Sequence, residues 1–169
     1  MLRSRTFTWE DATPLSRRAE GHSGVEILQM AVEGTLPPPP MAFLMDIRLI
    51  EVSKGRAVFR GNPQEFHYNT LGSVHGGYGA TLLDSAMGCA VHSVLDAGDL
   101  YTTLEFKINF LRALTVETGE VRGTGIIVHA GRTTAIAEGR IEDMAGKLYA
   151  FATTTCQIRR AGTASQASP

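Results

Sequence analysis

The sequence predicts an α+β chain, one long helix set among antiparallel strands. Three observations predict it. Between Gly76 and Ala97 the apolar residues Leu83, Ala86, Met87, Ala90, Val91 and Val94 recur at three- and four-residue steps, the period of a helix. From Leu104 to Phe110 apolar and polar residues alternate, the period of a half-buried strand. Further apolar runs, Val121 to Val128, Thr133 to Ile141 and Leu148 to Ile158, are separated by turn signals. A helix placed in the middle of such a sheet should have its apolar stripe covered by that sheet.

The elements follow in order. The first twenty residues show no clear period and read as an arm. Ser23 and Glu26 have capping-box spacing, and Val25, Ile27, Leu28, Ala31 and Val32 give a short helix stopped by Gly34. Pro37 to Pro40 cannot continue a helix and reads as a stiff spacer, so residues 1–40 form an arm with a short helix. Ile47 to Val52 and Ala57 to Phe59, joined at Lys54-Gly55, read as a hairpin. Gln64 to Val74 is polar and reads as a loop. The long helix is expected to stop at Gly98, in a segment where Gly77, Gly79, Ala80, Ser85, Gly88 and Cys89 make its sides small. Gly123 and Gly125 weaken the strand that carries them. Ala130-Gly131 and Met144 to Lys147 mark turns, and 159–169 reads as a disordered tail.

Composition excludes several classes. A chain of 169 residues with 43% apolar and 20% charged residues can bury one core. Its 16 basic and 17 acidic residues leave a net charge of −1, too little to hold nucleic acid or an anionic membrane over the whole surface. The first residues have no apolar stretch of signal-peptide type, and no run of about 18 apolar residues predicts a membrane span. Cys89 and Cys156 lack metal-ligand or disulfide-framework spacing, so the expectation is reduced thiols in a cytoplasmic protein and no metal.

Two features carry chemistry. Asp84 is the only carboxylate between Gly76 and Leu95, and its neighbours four residues away, Ala80 and Gly88, cannot pair with it. It either faces solvent on the polar side of the helix or works at a site. His75-Gly76-Gly77 opens the helix, where free N–H groups without side chains can meet a developing negative charge. Capped tight-turn glycines would look the same. Asp84 lies eight residues past Gly76, about 12 Å along the axis at roughly 1.5 Å per residue. One helix cannot easily serve one reacting carbon from both. Two antiparallel copies could, with Asp84 of one facing Gly76 of the other, giving two sites per dimer.

Asn69, Gly72, His75-Gly76-Gly77 and Asp84, followed by a small-residue helix and Asn109-Phe110-Leu111-Arg112, resemble the hotdog-fold acyl-CoA thioesterases. The branch most similar is that of the phenylacetyl-CoA and hydroxybenzoyl-CoA thioesterases, and the resemblance covers residues 41–158. It implies a hotdog fold, a long helix wrapped by a curved antiparallel sheet of five or six strands. It implies homodimers joined sheet edge to edge and paired into tetramers. It also implies hydrolysis of an acyl-CoA with an aromatic or medium-length acyl group, coenzyme A being part of the substrate and no cofactor being needed.

By that resemblance Asp84 is nucleophile or general base, and the Gly76 N–H polarises the thioester carbonyl. Asn69 helps hold the attacking group, and His75 orders the loop or contacts the carbonyl. Some relatives carry Ser or Thr one turn after the acid where this chain has Gly88, which leaves Ser85 to orient water. Arg112 and Arg132 are candidates for the phosphates of coenzyme A, each also readable as a solvated surface arginine. Gly77 and Tyr78 are candidate substrate contacts, with Leu82 and Phe66 as further guesses for the acyl pocket. The rivals are a hotdog dehydratase and an acyl-CoA-binding module without turnover.

Overall fold

Six strands form one antiparallel sheet against a 17-residue helix. The computed structural model describes residues 2–11 and 19–162. In chain order the elements are α1 (Gly24–Glu33), α2 (Pro40–Met45), β1 (Ile47–Ser53), β2 (Arg56–Gly61), α3 (Gly76–His92), β3 (Leu100–Phe110), β4 (Val121–Ala130), β5 (Thr134–Asp143) and β6 (Leu148–Arg159). The strand order is β1-β2-β4-β5-β6-β3, so β1 and β3 are the edges.

The core lies between α3 and the concave face of the sheet. Leu82, Leu83, Ala86, Met87 and Val91 of α3 are fully buried, and Ala57, Val121, Ala137, Ile141 and Ala152 of the sheet are fully buried with them. Each of the larger side chains contributes about 1.5–3 kcal/mol by leaving water. The strand glycines are the reason the helix can sit so close. A Cβ on Gly125 would lie 2.2 Å from the Ala86 carbonyl oxygen, and one on Gly123 would lie 2.7 Å from Leu82 Cγ. Read on propensity these glycines weaken β4; in the fold they are the floor on which the helix rests.

The short helix α1 forms where the capping box predicts. The Ser23 N–H and hydroxyl both donate to the Glu26 carboxylate, at 2.7 and 2.6 Å, and hold that carboxyl below its ordinary range. Gly34, at φ 80°, closes the helix. The proline run is more than a spacer, because Pro40 is the first residue of α2, a position that needs no N–H. The long helix ends at His92, short of Ala97. The Ser93 hydroxyl donates to the Ala90 carbonyl at 2.7 Å and accepts from the Gly55 N–H at 2.8 Å, which ties the helix end to the β1–β2 turn.

β3 begins at Leu100, four residues before the alternation starts, because a bulge between Thr103 and Glu105 breaks the period. β6 runs on to Arg159, and Arg160 and Ala161 both bind Asp99, so the chain is held past the start of the expected tail. Residues 163–169 of that tail lie outside the described residues.

Candidate active site

The start of α3 is arranged around one open amide. His75 is the N-cap, and its Nδ1 accepts from the Gly77 N–H at 2.9 Å. Among the described residues the Gly76 N–H has no partner. Gly76 lines a cavity of about 370 Å³ together with Ser73, Phe110, Arg112 and Tyr149. The positive end of the helix dipole favours negative charge at this position. Gly77 therefore has its N–H taken by His75, and the Gly76 N–H stays open. His75 orders this turn through that cap.

The loop before the helix is braced by Asn69. Its Oδ1 accepts from the N–H groups of Leu71 and Ser73 at 2.8 and 3.3 Å, and its Nδ2 donates to Ser73 Oγ at 3.2 Å. Gly72, at φ 81°, allows the reversal. The Asn69 carboxamide thus reaches the Gly76 cavity through Ser73, which lines it.

Asp84 is half-buried two turns further along α3. The Thr103 hydroxyl on β3 donates to its Oδ1 at 3.0 Å. Asp84 lines a second cavity, also about 370 Å³, with Ser85, Cys89, Tyr101 and Thr103. Burial pushes the Cys89 thiol up to about 12, with the nearby Asp84 charge adding to it, which disfavours its thiolate. Burial likewise raises the Tyr101 phenol. Gly88 leaves room for that phenol, since a Cβ there would lie 2.9 Å from the Tyr101 hydroxyl. Thr103 and Tyr101 are absent from the sequence reading. The hydroxyl on the acid comes from the neighbouring strand, and Ser85 only shares the cavity.

Within one chain the two cavities share no residue. The structure brings Gly76, His75 and Arg112 to one cavity and Asp84 and Ser85 to the other. The Arg112 guanidinium, on the lining of the first, donates to the Leu148 carbonyl. Arg132 is not brought there. It sits in the β4–β5 turn, at the end of the sheet where β3 begins and β6 ends, opposite the Phe110 end that meets Gly76. Tyr78 is buried and lines a third cavity with Phe66, His67 and Gly77, to which Arg5 and Phe7 of the arm also contribute. The Arg5 guanidinium lies 3.8 Å over the Phe66 ring. Leu82 is core. Among the described residues no three His, Cys, Asp or Glu side chains cluster as metal ligands, and no helix is long and apolar enough to cross a membrane.

A long helix against one six-stranded antiparallel sheet is the hotdog architecture. The model of the Thioesterase superfamily matches residues 71–150, which include the His-Gly-Gly turn, Asp84 and β3. A protein of Saccharolobus solfataricus described as a candidate esterase is 34% identical over 116 residues, 69% of this chain and 81% of that one. The chain belongs to the thioesterase superfamily. It is also similar to the 1,4-dihydroxy-2-naphthoyl-CoA hydrolase of Listeria monocytogenes, 25% identical over 68% of this chain and 91% of that protein. Among solved structures it is similar to a phenylacetic acid degradation-related protein of Ralstonia eutropha JMP134, described as a candidate thioesterase. That match has a TM-score of 0.70 and 26% identity, and covers 77% of this chain and 98% of the other.

Proposed function

We propose that this protein hydrolyses acyl-CoA thioesters with an aromatic or medium-length acyl group, at a site shared by two copies of the chain. The open Gly76 N–H at a helix start, beside a cavity, carries the reading. It meets the geometric need of a developing oxyanion. The family, and the hydrolase and esterase names of the relatives, support thioester hydrolysis.

In this reading Asp84 supplies the second half of the chemistry. A thioester carbonyl is held by the Gly76 N–H of one copy, and Asp84 of the other attacks it or removes a proton from an attacking water. The tetrahedral intermediate then expels the thiolate of coenzyme A, which takes up a proton. Where Asp84 itself attacked, the acyl group is left on it as a mixed anhydride, which water then hydrolyses to restore the carboxylate; on either route free acid and coenzyme A leave. Arg112, on the lining of the Gly76 cavity, suits a phosphate of coenzyme A.

The edge strand supports a shared site. β3 is 11 residues long, leaves one side unpaired, and exposes Leu104, Phe106 and Phe110. An edge of this kind invites pairing. One end of β3 touches Asp84 through Thr103, and the other meets Gly76 through Phe110. Antiparallel pairing of two β3 edges sets the Phe110 end of one copy beside the Thr103 end of the other. Each Asp84 then approaches the partner's Gly76, which one helix cannot arrange by itself. Dimers paired into tetramers are part of the same reading, as is a cytoplasmic location.

Incubation with a panel of acyl-CoAs and a thiol-detecting reagent tests the proposal. Thiol release from phenylacetyl- or octanoyl-CoA is expected. Tight binding of the same esters without release would favour a non-catalytic module.

A further inference from the structure

The cavity beside Asp84 has one wall drawn from outside the residues that match the family. Leu28 and Ala31 of α1, Pro38 and Pro39, and Met41 and Ala42 of α2 form it. The family match begins at residue 71. This strap is pinned at both ends. The Gly24 N–H donates to the Leu95 carbonyl at 3.0 Å, and a Cβ on Gly24 would lie 1.8 Å from the His92 carbonyl oxygen, so α1 seats directly on the end of α3. At the other end the Asn62 N–H donates to the Asp46 carbonyl and Asn62 Nδ2 to Asp46 Oδ2, both at 3.1 Å.

Four prolines lie between the pins. They fix φ and carry no N–H, so this stretch of wall has little conformational freedom and no backbone donors. A rigid apolar wall in the cavity that a carboxylate also lines suits the apolar part of a substrate whose reacting carbon lies at that carboxylate. We infer that residues 28–42 roof the acyl compartment and set the length of acyl group the protein accepts, with the small side chains of Ala31 and Ala42 on its lining leaving the room. The inference deepens the hydrolase reading and rests on it. The acyl class it fits is an unbranched medium chain or a single aromatic ring, Arg48 being the one basic side chain on the lining.

Ala31→Leu tests it, because leucine is a good helix former and adds bulk on the lining. The expected result is a loss of about tenfold in kcat/KM for octanoyl- and phenylacetyl-CoA, with acetyl-CoA within about twofold of wild type. Met41→Ala, at an exposed position, is expected to shift preference toward longer chains. An equal effect on every length, or none, overturns the inference. Calorimetric binding of the thioethers S-octyl-CoA and S-ethyl-CoA, which have no scissile bond, separates it from the hydrolase reading. If wild type releases no thiol but Ala31→Leu selectively weakens S-octyl-CoA, the roof stands and hydrolysis falls. If neither thioether binds, or both bind the variant as they bind wild type, the roof falls.

Discussion

Thr103 Oγ1, on the edge strand, donates to Asp84 Oδ1, on the central helix, across 3.0 Å. The bond fixes one carboxylate oxygen and leaves the other for chemistry. It also ties the proposed acid to the strand that would pair with a second copy.

Asp84→Ala is expected to abolish thiol release while the fold and the elution volume stay those of wild type, as read by circular dichroism and size-exclusion chromatography. Thr103→Val keeps the shape and removes the donor. Losing a hydrogen bond to a charged group should lower kcat by about ten- to a hundredfold with little change in KM, and Thr103→Ser should restore most of it. Unchanged kcat in Thr103→Val would make the bond incidental.

Gly125→Ala tests the packing of helix on sheet. The added Cβ meets backbone, 2.2 Å from the Ala86 carbonyl oxygen, and no side chain can swing aside. A loss of about 3 kcal/mol or more is expected in urea unfolding. Stability within experimental error of wild type would mean that the sheet yields at this point.

Acid should destabilise the fold through two of its histidines. His67 and His92 both lie below the ordinary value of 6.5, chiefly because burial disfavours the cation. The unfolded chain takes up these protons as pH falls through 6.5, and the folded chain does not. Stability is therefore full above that value and is lost as pH drops toward the lowered folded values. Calorimetric melting at pH 7.5, 6 and 5 should show the midpoint falling, and His92→Gln should flatten the slope. The Asp99 contribution acts in the same direction but lower, below the ordinary 3.8, where the Ala161 N–H and Arg160 hold the carboxylate charged.

Arg112→Ala should raise KM for acyl-CoA several-fold and leave KM for the matching acyl-pantetheine, which lacks the nucleotide phosphates, near wild type. An equal rise for both esters would place Arg112 in loop packing, through its bond to the Leu148 carbonyl.

The long helix and most strands were legible because their signal is local. Leu83, Met87 and Val91 repeat on one face whatever the rest of the chain does. The limits of α3 and β3 were not legible, since Ser93 acts through Gly55, 38 residues away, and the bulge after Thr103 hides the alternation. Gly123 and Gly125 were misread for the same reason, because their value lies in the helix they admit. In the site, Asp84 stood out as an unpaired charge and Gly76 as a bare helix start, both visible in a few consecutive residues. Thr103 and Tyr101 were silent because they reach Asp84 and Gly88 only once β3 lies beside α3. Arg132 looked equivalent to Arg112, and the strand register puts the two at opposite ends of the sheet.

Complementation between two inactive variants measures the shared site most directly. Asp84→Ala removes the acid, and Gly76→Pro removes the N–H at a helix position that tolerates proline. His75, at ψ 138°, already has the extended backbone that precedes a proline. Each variant alone should be inactive. After unfolding and refolding together in equal amounts, half the dimers are mixed and each holds one intact site, so roughly one quarter of wild-type activity should return. A mixture that stays inactive while forming mixed dimers would contradict a site built from Asp84 of one copy and Gly76 of the other.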